Sequence, residues 1–185
     1  MFLDAAIGIF SAILISALYG AAIGRVLFFA ILFSLLPDLD FLFYKLFKIQ
    51  RNKGYKHREL FHYPLLYLPI GGIAVYWLLG QEFIILFLLT SFLHFVHDSL
   101  AIGRGVKWLF PFSSNGYAFL YLYSRTEPRG LRQPVFVFDR AYLEYFDREH
   151  GDENWFNNIY RGWHPIAIIE LSVFIISVFA LIFYY

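Results

Sequence analysis

The chain has 185 residues, of which 59% are hydrophobic, 22% aromatic and only 16% charged. Soluble domains are nearer half apolar and about a quarter charged, so a water-soluble globule is excluded. With no cysteine, disulfides and thiolate metal ligands are excluded too, which leaves His, Asp, Glu or water to hold any ion.

A transmembrane helix needs about 20 apolar residues, with a range of about 17–25. Ala5 to Tyr19 reads as a first span, beginning as early as Phe2. It has an acid, Asp4, where a signal peptide would carry basic residues, and no small-x-small cleavage site leads into a polar mature chain, so it is expected to be retained. Val26 to Leu36 is a second, shorter run, continued by Phe41 to Phe47 after Pro37-Asp38-Leu39-Asp40. It reads as a tilted or half-inserted helix, or as one whose polar break faces protein inside the membrane. Phe61 to Leu79, Phe83 to Leu100 and Pro165 to Tyr185 are the third, fourth and fifth runs. Between the last two, residues 103–162 are rich in Tyr, Phe and Arg, with turn signals at Asn115-Gly116, Glu127-Pro128-Arg129-Gly130 and Gln133-Pro134 and helical spacing over Ala141 to Glu149. The expected fold is all-α: a polytopic membrane helical bundle of about four to five transmembrane helices, with a small cytoplasmic cap. The expected divisions are 1–100 (membrane helices with the polar motifs), 101–163 (cap) and 164–185 (last helix).

Fourteen of the fifteen Lys and Arg residues fall between runs two and three or between runs four and five, and only Arg25 lies in an opposite-side loop. The positive-inside rule puts those two loops and the N-terminus in the cytoplasm. The expected location is therefore the inner (plasma) membrane, multi-pass, with the lipid bilayer as partner. The basic residues flank spans and are balanced by acids in the cap, so nucleic acid is not an expected partner.

Three polar clusters interrupt the apolar runs. His94 and Asp98 are four apart, about 40° on a helix, so both can grip one ion from one face. His97 and Ser91 lie near the same stripe. Asp38 and Asp40 flank Leu39 after a helix-breaking Pro37, and in an extended stretch both would point the same way; a solvated turn is the plainer reading of this motif alone. His57 and His62 suit one site if His57 lies in the loop and His62 opens a helix at Pro64; alone, the stretch reads equally as a basic interface beside anionic lipid. Topology brings all three clusters to one membrane face. Asp38, Asp40, His57, His62, His94 and Asp98 are thus the expected ligands of a divalent metal, Zn, Mn or Fe. Glu59 is a candidate general base and Arg58 a candidate phosphate partner. Glu170, inside the last run, is either functional or bonded to a neighbouring hydroxyl. His150 and His164 either complete a site from the cap or lie in a loop and at the interface.

In these residues the chain resembles the LexA-regulated, inner-membrane-associated metal-dependent hydrolases of bacteria and archaea. The resemblance runs from about residue 30 to 113 and rests on PDLD at 37–40, HRxxxH at 57–62, HxxxD at 94–98, Gly103 and Pro111-Phe112-Ser113. It implies a multi-helix membrane protein with a metal site and hydrolase activity. The family's His-Arg-Gly-x-Thr-His-Ser carries Glu59, Phe61 and Tyr63 here in place of Gly, Thr and Ser, and Ala101 stands where a Thr is usual. The first expectation is a metal-dependent hydrolase at the cytoplasmic face, acting on an ester or phosphoester of a lipid or other amphiphile. The alternatives are a structural metal with an interaction role, and a small transporter using Asp, His and Glu170 as a polar path.

Overall fold

The apolar runs fold as helices, and their ends fall where Gly and Pro dictate. A computed structural model describes residues 2–39, 61–101, 105–124, 126, 127, 130–139, 141, 142, 145, 150, 152 and 154–185. Helix α1 (Phe2–Tyr19) stops at Gly20, whose φ of +65° suits the residue after a helix. Helix α2 (Ile23–Leu35) passes into a 3-10 turn, Leu36–Asp38, where Pro37 lacks the N–H that would extend the ladder. Helix α3 (Pro64–Leu79) opens on Pro64. Helix α4 (Gln81–Asp98) follows after a single connecting residue, Gly80, at φ +98°. A π-helical turn (Asn157–Arg161) leads to helix α5 (Pro165–Tyr184), which opens on Pro165.

Among the described residues only α1 and α5 are long and apolar enough to cross a membrane. Helix α3 is apolar but has 16 residues, and α2 has 13. Helix α4 has 18 residues but carries Gln81 and Glu82 at one end and His94, His97 and Asp98 at the other. Helix lengths alone therefore support two spans among the described residues and do not establish the expected bundle of four to five. The run over Phe41 to Phe47 lies outside the described residues.

The chain divides into two compact units, Met1–Pro37 with Leu68–His94 and Phe156–Tyr185, and Asp38–Tyr67 with Phe95–Trp155. In the first, α1 packs on both α2 and α5. Gly8, Ala12 and Ser16, one turn apart, are buried on α1. A Cβ on Gly8 would stand 3.0 Å from the Ile31 Cα, so the two backbones nearly touch, as small-residue stripes allow in membrane helices. Burial is inverted relative to a soluble protein. On α5 the side chains of Ile169, Ile176, Phe179, Ile182 and Phe183 face outward while Glu170 and Ser177 are buried. That pattern suits an apolar surrounding. Helices α3 and α4 form a hairpin in which Gly71 makes room for the Phe87 ring, and Phe87 meets Phe33 of α2 edge-on at 5.4 Å.

The second unit corrects the all-α expectation. After α4 the chain makes a three-stranded sheet: β1 (Leu100–Ala101) lies parallel to β2 (Gly116–Leu122), and β2 is antiparallel to β3 (Leu131–Phe138). Along the second half of β3, Val135 and Val137 are exposed while Phe136 and Phe138 are buried, the period-two signature of a strand with one covered face. Phe136 and Phe138 join Ala118 and Leu122 in a small core, with Leu131 and Tyr142 packed beside it. Gln133-Pro134 is not a turn but part of β3. Phe119 pairs with Val135 and Leu120 with Gln133, so Pro134 is the extra residue of a bulge, where a residue without an N–H is tolerated.

Candidate metal centre

The α3–α4 hairpin builds the site. His62 and Asp98 lie at equal sequence distance on either side of Gly80, so antiparallel pairing brings the entry of α3 to the exit of α4. His62 Nε2 is 3.0 Å from Asp98 Oδ2. It is also 3.7 Å from Oδ1 of Asp38, which the 3-10 turn after α2 presents. His62 and Asp98 are buried, but the Asp38 side chain is 44% exposed, so the cluster is open on that side.

Two features favour a positive charge or a hydrogen-bond donor beside Asp98. It ends α4, where the partial negative charge of the helix terminus opposes a carboxylate, and it is buried, where an ionised carboxylate is costly unless compensated. A protonated His62 or a metal ion would each supply that compensation. The donor set also fits an ion: Asp38, His62 and Asp98 each offer one ligand atom within 4.8 Å of the others. A tetrahedral site with bonds of about 2.1 Å has donor–donor edges of about 3.4 Å. His94 stands one turn before Asp98 on the same helix.

Aromatic packing fixes these groups. Phe95 is fully buried and touches His62 (6.0 Å between centroids), Tyr67 (5.4 Å) and Trp108 (6.4 Å). The Trp108 indole N–H donates to Ser99 Oγ at 2.8 Å, and that hydroxyl donates to the Phe95 carbonyl at 2.8 Å. Tyr63, next to His62, stacks on Phe110 at 4.2 Å and carries Lys107 over its ring at 5.8 Å.

Of the residues singled out from sequence, the structure brings Asp38, His62 and Asp98 together and sets His94 on the helix that ends in Asp98. Asp40, His57, Arg58 and Glu59 lie outside the described residues. Glu170 is buried and accepts a hydrogen bond from the Tyr160 hydroxyl at 2.8 Å. Burial, and then the Glu170 carboxylate, push the Tyr160 phenol above its ordinary value. His150 bonds Ser124 at 3.0 Å and Tyr142 at 3.0 Å. His164 caps α5, accepting from the Ile166 N–H at 3.3 Å, and burial lowers its pKa. The sequence alone did not mark Asp4 or Phe95 as site residues. Asp4 is buried on α1 with Oδ1 3.2 Å from His94 Nδ1. Its signal was the single acid in an apolar helix.

A family model described as YdjM inner membrane protein matches residues 3–185, nearly the whole chain. No curated protein and no solved structure matches.

Proposed function

Since the chain belongs to the YdjM inner membrane protein family, we propose that it is a multi-pass inner-membrane protein whose Asp38, His62, His94 and Asp98 hold a divalent metal at the cytoplasmic face, and that this site hydrolyses an ester or phosphoester of a lipid or other amphiphile. Within the first unit, Asp4–His94 joins the start of α1 to the end of α4, and Phe2 packs on Tyr160 just before α5. The starts of α1 and α5 and the end of α4 thus share one end. This supports a path of four to five crossings with the N-terminus inside, since the basic residues flank that end.

The observation that carries the reading is the convergence of the His62 imidazole and the Asp38 and Asp98 carboxylates, open at Asp38. Zinc suits this N/O set, as do manganese and iron. When bound, such an ion supplies Lewis acidity, polarising a carbonyl or phosphoryl oxygen and making water a better nucleophile at neutral pH. The chain's own part is positional. Asp98 and His62 are held by the hairpin, Phe95 excludes water behind them, and Asp38 lines the open side. Glu59 and Arg58, three and four residues before His62, are assigned from sequence as general base and phosphate partner. Metal analysis of purified protein tests this: about one ion per chain in wild type, lost in Asp98→Ala and His94→Ala. Metal-free wild type ends the proposal.

One observation favours a second reading. At 3.0 Å, His62 and Asp98 are at direct hydrogen-bond distance, so a protonated His62 alone could clasp α3 to α4. That clasp predicts a stable protein that neither binds metal nor turns over substrate.

A further inference from the structure

We infer that Asp4 is a positioning residue that fixes the ring of His94, and so sets which nitrogen that histidine presents as a ligand. The inference rests on the metal reading above. Asp4 stands in the first turn of α1 and is 1% exposed; His94 stands near the end of α4 and is fully buried. Both belong to the first unit, and their contact is 3.2 Å, Oδ1 to Nδ1.

The plainer explanation of a first-turn acid is the helix dipole, which favours a carboxylate there. That gain is available to an exposed side chain and gives no reason to bury it. A buried carboxylate needs a hydrogen-bond donor; His94 Nδ1 stands 3.2 Å from Oδ1, within donating reach although the ring is not aligned on the oxygen in this structure. Phe2 anchors this end of α1 by packing on Tyr160 at 5.7 Å and on Phe174 at 5.8 Å, so the carboxylate is held at a defined depth. With Nδ1 protonated and donating to Asp4, the lone pair of the neutral ring is on Nε2. A metal-binding histidine commonly donates its other N–H to a carboxylate in this way, and loss of that partner lowers metal affinity about 10–100-fold.

The test uses the full chain in detergent, with ¹⁵N-labelled histidine, zinc alone as the probe, and chelator competition as the affinity readout. The His94 signals are identified by their loss in His94→Gln. Asp4→Leu is nearly isosteric and suits an apolar helix. Its metal-free His94 should leave the Nδ1–H tautomer, and zinc affinity should fall about 10–100-fold. Asp4→Asn keeps an acceptor, so it should keep the tautomer and lose less affinity. It also carries the test if the Leu variant does not fold, because an Asn variant with undiminished zinc affinity overturns the inference. An unchanged tautomer and affinity in Asp4→Leu also overturn it. The two readings fail separately: wild type that binds no zinc ends the metal proposal, while a tautomer shift in Asp4→Leu still upholds Asp4 as the group that orients His94.

Discussion

His62 Nε2 lies 3.0 Å from Asp98 Oδ2, at the open end of a hairpin whose closed end is the single residue Gly80. The pairing follows from chain geometry. Two helices of similar length joined by one residue must bring their far ends together, and the chain carries an imidazole at one end and a carboxylate at the other. Asp38 adds a second carboxylate at 3.7 Å. The cluster is therefore a property of the hairpin as much as of the residues themselves.

Truncating His62 should remove the group at hydrogen-bond distance from the Asp98 carboxylate, which is buried at a helix C-terminus. Removing one partner of a buried pair costs about 3–5 kcal/mol. Since Asp38 is partly solvated, about 2–3 kcal/mol is expected for His62→Ala. The measurement is thermal unfolding in detergent, with and without chelator. His62→Ala should melt well below wild type, and chelator should lower only the wild-type transition. If both proteins melt together, the contact does not hold the hairpin. A wild type indifferent to chelator favours the metal-free clasp.

Gly80→Ala should weaken the cluster from a distance. At φ +98° the residue is left-handed, and a side chain there costs about 1–2 kcal/mol. A Cβ at Gly80 meets nothing within 4 Å, so the penalty is conformational and not steric. Gly24→Ala is the control: it too has open space around it, but sits at ordinary helical angles in α2, and should be neutral or slightly stabilising. Zinc affinity should fall in Gly80→Ala and hold in Gly24→Ala. Equal affinity in both would separate the site from the hairpin.

Apolar run length, Pro64 and the four-residue spacing of His94 and Asp98 made α3, α4 and their polar ends readable, because these signals are local. The length of α1 and α5 was readable for the same reason. The sheet was not. Tyr, Phe and Leu crowd both faces of residues 116–122, which blurs the period of two, and Pro134 imitates a turn because the bulge that accommodates it is defined by a partner strand. Asp4 was visible only as an odd acid, since its partner His94 is remote in sequence and only packing reveals it. The short α2 shows the opposite error: Leu36 continues the apolar run, but Pro37 turns the backbone.

Acidification should loosen the start of α5. His164 accepts from the Ile166 N–H through Nδ1, which requires that nitrogen to be unprotonated, and burial lowers its pKa in the fold. A depressed histidine pKa contributes stability that is complete above the unfolded value of about 6.5 and is lost as pH falls through the lower, folded value. His164→Asn keeps a capping acceptor that does not titrate. The protection of the Ile166 amide, its exchange rate relative to the intrinsic rate at each pH, should therefore fall below about pH 6 in wild type but stay level in His164→Asn. A wild type whose exchange shows no such acid limb beyond that of the variant would remove the cap from this account.

Glu170 and Tyr160 should behave as a coupled pair. The carboxylate is buried on α5 and accepts from the phenol at 2.8 Å. Deleting only the donor leaves a buried acceptor with a lost hydrogen bond, at about 1–3 kcal/mol. Tyr160→Phe should thus destabilise by that amount. Replacing both groups with apolar ones of similar shape removes the unmet demand, so Tyr160→Phe with Glu170→Leu should recover most of the loss, the non-additivity expected of residues in contact. Alkaline pH gives a second reading of the same pair. The raised Tyr160 pKa means its contribution is complete below the unfolded value of about 10 and is lost as pH rises toward the folded value. Wild type should lose stability above about pH 10 more steeply than Tyr160→Phe. Additive single and double variants with parallel alkaline limbs would mean that Glu170 is held by other groups and that the phenol is incidental.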